Sequence, residues 1–168
     1  EVLAGPDIKR MIVALSTCDS HAEEHLRSDA RHRQRIGIVG HSIGGYVALG
    51  MVGGWKAWKD SRIKVALLFS PYSLPFSVHN TLSAIRVPLM YQGADLDLGI
   101  TTFIEGPQGA YVHSNAPKYF AKLRAGNHFI WTNLQCAGAA SVETCIRTRP
   151  EAQLINAYGV AFLDYYLK

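Results

Sequence analysis

A serine with a glycine two positions to either side, Gly40-His41-Ser42-Ile43-Gly44, is the part of this chain best suited to nucleophilic chemistry. It follows a short β-branched run, Ile36 to Val39, and precedes a segment that reads as a helix. A serine presented as a nucleophile has to stand clear of a sheet in a sharp strand-to-helix turn, where side chains two residues away would collide with the turn. Gly40 and Gly44 leave that space. The backbone N–H of Ile43 then lies at the start of the helix, a place for one donor of an oxyanion hole. A hydroxyl is a weak nucleophile, so Ser42 also needs a base, and the base needs an orienting carboxylate.

In strand-turn-helix hydrolases of this kind the chain order is serine, acid, histidine. Downstream of Ser42, the segment Gln92-Gly93-Ala94-Asp95-Leu96-Asp97 offers two carboxylates at the end of a strand, where sites on parallel sheets are built. Either Asp95 or Asp97 fits the order. Gly126-Asn127-His128-Phe129 then places a histidine in a glycine-containing loop. His21, His25 and His32 lie in a polar connection upstream of the serine, and His79 and His113 lie in loops without such a setting. His41 is next to the nucleophile, and its position is expected to turn it away from the nucleophile's face.

The elements that must carry these residues alternate between strand and helix. Asp7 to Leu15, after Pro6, has apolar residues at 8, 11, 12 and 15, the spacing of an amphipathic helix. Ile36–Val39 is predicted as the nucleophile strand and 44–59 as the following helix, weakened by Gly50, Gly53 and Gly54. Strands are predicted at 63–69 and 87–91, a weaker one at 119–123, and a final helix at 151–167 with apolar positions 154, 155, 158, 162, 163 and 166. Nearly continuous apolar strands suit a parallel sheet covered on both faces. The expected class is therefore α/β, as one domain over residues 1–168.

Composition narrows the partners. Apolar residues make up 48% and charged ones 18%, which excludes a disordered chain. The excess of 17 Lys and Arg over 13 Asp and Glu gives +4. Its densest cluster, Arg27, Arg31, Arg33 and Arg35, is interleaved with Asp29 and His32 and reads as a solvated face, not a nucleic-acid stripe. No apolar run is long enough for a membrane span. Cys136 and Cys145 bracket the loop CAGAASVETC, where a disulfide is expected. That places the protein in a secreted or periplasmic setting; with both as free thiols, a cytoplasmic one follows. Cys18 is left as a small apolar residue.

GHSIGG, QGADLD and GNHFIWTN together resemble the α/β-hydrolase superfamily, in its dienelactone-hydrolase-like, platelet-activating-factor-acetylhydrolase-like and cutinase-like esterase branch. The resemblance runs from the region of Asp7 to the closing AYGVAFLDYYLK. It implies hydrolysis of a small ester or a polyester through an acyl-enzyme, with Ser42 as nucleophile, His128 as base and Asp97, which ends a G-x-x-x-D segment, as acid. It also implies substrate contacts at Tyr72, in Ser70-Pro71-Tyr72, and at Phe129 and Trp131 beside the base. No cofactor is expected, and no His or Cys pair at ligand spacing suggests a metal. Acyl transfer or peptide cleavage on the same triad is the second reading, and a catalytically weak binding protein of the same fold the third.

The chain departs from that pattern upstream. The family's second oxyanion donor comes from the loop after its third strand, and here a helix and a polar connection are the elements expected before the nucleophile strand. The fold is thus expected to be N-terminally truncated relative to the family, with no segment for the second donor. The nucleophile strand would be an open sheet edge, to be covered by missing upstream sequence or by another copy of the chain.

Overall fold

The computed structural model describes residues 12–15 and 36–168. Residues 7–11 of the helix expected over 7–15, the arginine cluster, Cys18, His21, His25 and His32 lie outside the described residues. Among the described residues five strands form one parallel sheet in chain order: β1 (Ile12–Leu15), β2 (Ile36–His41), β3 (Ile63–Phe69), β4 (Leu89–Ala94) and β5 (Lys118–Leu123).

β1 corrects two expectations. Residues 12–15 form a strand instead of the end of a helix, paired with β2 from Ile12 beside Gly37 to Leu15 beside Gly40. A four-residue apolar run fits either state by periodicity, and here the unpaired backbone of the neighbouring strand supplies partners. The strand expected as an open edge, β2, is accordingly not one, because it lies between β1 and β3. The ground for expecting a second copy on that strand disappears with it.

Helices cover both faces. α1 (Ile43–Leu49) follows β2, and α2 (Leu74–Val78) follows β3. Between β4 and β5 come α3 (Leu98–Glu105) and α4 (Ala110–His113), and after β5 come α5 (Val142–Thr148) and α6 (Pro150–Leu167). The two-residue period of β3 sorts its side chains: Ala66 and Leu68 join Leu49, Phe76 and Ile104 on one face, while Val65 and Leu67 meet Phe162, Leu163 and Leu167 of α6 on the other. α6 sits close, since a Cβ on its Gly159 would come within 2.9 Å of Leu67.

The single helix expected over 44–59 breaks. α1 stops at Leu49, a π-helical turn spans Gly50–Gly54 with Gly53 at φ 119°, and a short 3-10 turn covers Lys56–Trp58. Trp58 folds back to where a Cβ on Gly50 would be, 2.5 Å from its ring. The glycines therefore end the helix where they were expected only to weaken it. The strand expected at 87–91 runs from Leu89 to Ala94, with Pro88 outside it, its carbonyl accepting from the N–H of Ala66. Cys136 and Cys145 form the expected disulfide, joining a 3-10 turn (Asn133–Cys136) to α5. No helix among the described residues is long and apolar enough to cross a membrane.

Candidate active site

Four neighbouring strands bring their C-terminal ends level, with His41 beside Phe69, Phe69 beside Gln92 and Ala94 beside Leu123. Ser42 directly follows β2 and Ser70 directly follows β3. Asp97 lies in the turn after β4 and His128 in the loop after β5. The C-terminal edge of a parallel sheet is where such side chains can converge.

The turn at Ser42 is built by backbone contact. Ser42 adopts φ 54° and ψ −115°, a conformation a non-glycine residue holds only when its surroundings force it. Those surroundings are specific: its N–H donates to the carbonyl of Phe69 at 3.0 Å, and its carbonyl accepts from the N–H groups of Tyr46 at 3.1 Å and Tyr72 at 3.0 Å. A Cβ on Gly40 would lie 2.3 Å from the carbonyl oxygen of Gly44. Gly45, outside the sequence pattern, is equally constrained, since its Cβ would lie 2.6 Å from Pro71.

The Ser42 hydroxyl donates to His128 Nε2 at 2.9 Å, and His128 Nδ1 donates to Asp97 Oδ2 at 2.8 Å. Asp97 is nearly buried, 6% exposed, while His128 is partly open. Asp95, the other carboxylate open to the sequence, faces outward and pairs with Lys122 at 3.3 Å. Asp97 stands at the position that caps α3, yet its side chain makes no cap bond, because the carboxylate is turned to His128. Backbone bonds tie the two loops: Asp95 N–H to Leu123 O at 3.1 Å and Leu96 N–H to Gly126 O at 2.9 Å.

Two further side chains belong to this arrangement: Ser70, which was given no role, and His41, which corrects the expectation that it turns away. Ser70 is fully buried, holds φ 41°, and donates its hydroxyl to the same Asp97 oxygen that receives His128. His41 points toward the base: its Nε2 is 2.8 Å from the carbonyl oxygen of His128, and the two rings are 4.8 Å apart. Ser70 carries a faint sequence signal, a strand-ending Ser-Pro at the same sheet edge; His41 carries none.

The expected substrate contacts separate. Ile43 and Phe129 are 62% and 48% exposed beside Ser42 and His128. Tyr72 approaches Tyr46 of α1 with ring centroids 6.3 Å apart. Trp131 is engaged inward, its indole N–H donating to the buried Gln92 at 3.1 Å and its ring stacked on Phe69. Among the described residues, no three His, Cys, Asp or Glu side chains gather as a metal site would require.

No family profile and no curated protein sequence matches the chain. Solved structures do. A dienelactone hydrolase from Anabaena variabilis ATCC 29413 superposes with a TM-score of 0.58 at 16% identity, over 88% of this chain and 57% of its own. The esterase domain of a Rhodothermus marinus protein gives 0.54 at 14%, over 79% and 62%. The acylaminoacyl peptidase of Pyrococcus horikoshii gives 0.53 at 17%, over 87% and 26%. The chain thus spans about three fifths of the length of the dienelactone hydrolase and the esterase domain. At these identities the likeness is one of architecture: the parallel sheet, the flanking helices and the superposed structures together show that this chain has the α/β-hydrolase fold.

Proposed function

We propose that this chain is a serine hydrolase of carboxylic esters, residues 1–168 acting as one catalytic domain. The observation that supports it is the continuous hydrogen-bonded line from Ser42 Oγ through both nitrogens of His128 to the buried carboxylate of Asp97. In this reading Ser42 Oγ attacks the acyl carbonyl carbon while His128 Nε2 takes its proton. Asp97 holds Nδ1–H, which keeps Nε2 free to accept, and stabilises the imidazolium once formed. The tetrahedral intermediate then breaks its C–O bond to the alcohol, which leaves with the proton from His128. Water, deprotonated by His128, attacks the acyl-enzyme and releases the acid and Ser42.

Ile43 N–H, following the nucleophile, would face the developing oxyanion. The second donor falls upstream in related folds, and residues 16–35 lie outside the described residues. Loss of one donor costs about 10²–10³ in kcat, so a chain acting with Ile43 alone would be slow. The exposed side chains of Ile43 and Phe129, with Tyr72, offer apolar surface to an acyl or aryl group. The fold likeness to an acylaminoacyl peptidase keeps peptide cleavage as a second reading, since the same acyl-enzyme forms from an amide.

Hydrolysis of short p-nitrophenyl esters, with aminoacyl p-nitroanilides in parallel, tests the proposal. Ester turnover that falls by about 10⁴-fold or more in Ser42→Ala is expected. Turnover unchanged in Ser42→Ala would contradict it, and anilide cleavage exceeding ester cleavage would move the assignment to a peptidase.

A further inference from the structure

His41 occupies the variable position inside the glycine-serine-glycine turn, and its side chain reaches across the site to the loop of the base. A carbonyl oxygen can only accept, so the 2.8 Å contact with the carbonyl of His128 requires the proton on His41 Nε2. The ring lies among aromatic neighbours, its centroid 4.8 Å from that of His128 and 5.9 Å from that of Trp131. Trp131 is in turn fixed by Gln92, which is fully buried in the interior strand β4 and donates to the carbonyl of Ile155 in α6 at 3.4 Å.

We propose, building on the triad reading above, that His41 is a positioning residue for His128: its Nε2–H holds the backbone of the base so that the imidazole stays in line with Ser42. His41 is joined by a peptide bond to the nucleophile it serves. Any movement of the nucleophile turn is therefore passed to the base by one rigid side chain, and the Nε2-to-Oγ distance of 2.9 Å is held from both ends. Other groups can donate one hydrogen bond, but a cationic donor here would oppose the imidazolium that forms on His128 as it takes the serine proton. Burial lowers the proton affinity of His41, and the titratable groups facing it are His128 and Asp97. A neutral imidazole supplies the donor without the charge.

The experiment compares His41→Phe, which keeps a flat ring without the donor, with His41→Gln, whose amide N–H can reach the same carbonyl. Ester turnover is measured at matched folded fraction, with fluorophosphonate labelling of each variant. In His41→Phe, kcat should fall about 10–100-fold with KM within about threefold, the cost of a base displaced by a fraction of an ångström to an ångström. His41→Gln should recover kcat to within about fivefold of the parent chain. Equal kcat in the parent and His41→Phe, or no advantage of Gln over Phe, would overturn the proposal while labelled parent enzyme left the triad reading standing. A parent chain that neither labels nor turns over ester removes both. Imidazole ¹⁵N shifts of the unmodified protein give a readout independent of how the variants fold: a neutral Nε2–H tautomer with slow solvent exchange supports the role, and an Nδ1–H tautomer contradicts it.

Discussion

The turn at Ser42 and the loop of His128 meet at one hydrogen bond but are held by different physics. Around Ser42 the constraint is backbone against backbone: Gly40 packed against the Gly44 carbonyl, Gly45 against Pro71, and a positive φ fixed by amides of neighbouring elements. Around His128 two backbone bonds anchor the loop, from Asp95 and Leu96, and side chains set the ring: Asp97 on one nitrogen, Ser70 behind the carboxylate, His41 on the carbonyl and Trp131 on Gln92. The Cys136–Cys145 bond closes the chain just beyond that loop. A backbone clash cannot relax around an added atom, whereas a missing side-chain bond lets a loop shift slightly. Substitutions of the packed glycines around Ser42 should thus act nearly all-or-none, and those of the side chains that support His128 without touching the triad by degrees.

The largest expected effect breaks the rigid half. Gly40→Ala puts a Cβ 2.3 Å from the Gly44 oxygen, and we expect about 3 kcal/mol or more of destabilisation with activity lost. Urea unfolding and ester turnover check this together; a stable, active Gly40→Ala protein would mean that the turn is more pliable than its contacts indicate.

A smaller effect, still large, separates the two carboxylates. Asp97→Asn should lower kcat by about 10⁴-fold with the fold intact, because an amide holds the imidazole in the wrong tautomer. Asp95→Asn should leave kcat within about twofold, since it removes one exposed pair with Lys122. The reverse pattern in steady-state kinetics would move the acid to Asp95.

How far the sequence made these regions legible follows the same division. The strand at Ile63–Phe69 was legible from end to end, because seven mostly apolar residues between Arg62 and the Ser70-Pro71 break have one comfortable place in a covered sheet. The glycine spacing around Ser42 was legible too, since steric exclusion is local in sequence. What could not be read depends on distant partners. β1 takes its conformation from pairing with β2, and α1 ends because Trp58 packs onto Gly50. The choice between Asp95 and Asp97 needed a family resemblance, since the α3 start gives no cap signal when its carboxylate faces His128. His41, as the neighbour of Ser42, is expected to turn from the nucleophile's face; it ends β2, and the partner its ring reaches, the carbonyl of His128, lies 87 residues further along the chain.

The smallest effect concerns pH and touches the graded half alone. Burial lowers the His41 pKa from its ordinary 6.5 in the folded chain. Below that value the unfolded chain binds more protons than the folded one, so stability rises with pH through the window and falls as the solution is acidified under about pH 6.5. His41→Gln should flatten this dependence in urea titrations between about pH 5 and 7. An unchanged slope would mean that His41 is not the desolvated group.

Whether Ser42 is a nucleophile activated by His128 is read out by covalent labelling. The protein is treated with a fluorophosphonate, digested, and the adduct located by mass spectrometry. A single adduct is expected on the peptide carrying Gly40-His41-Ser42-Ile43-Gly44, absent in Ser42→Ala and strongly slowed in His128→Ala. An unlabelled folded protein, or a label on another residue that persists in Ser42→Ala, would contradict it.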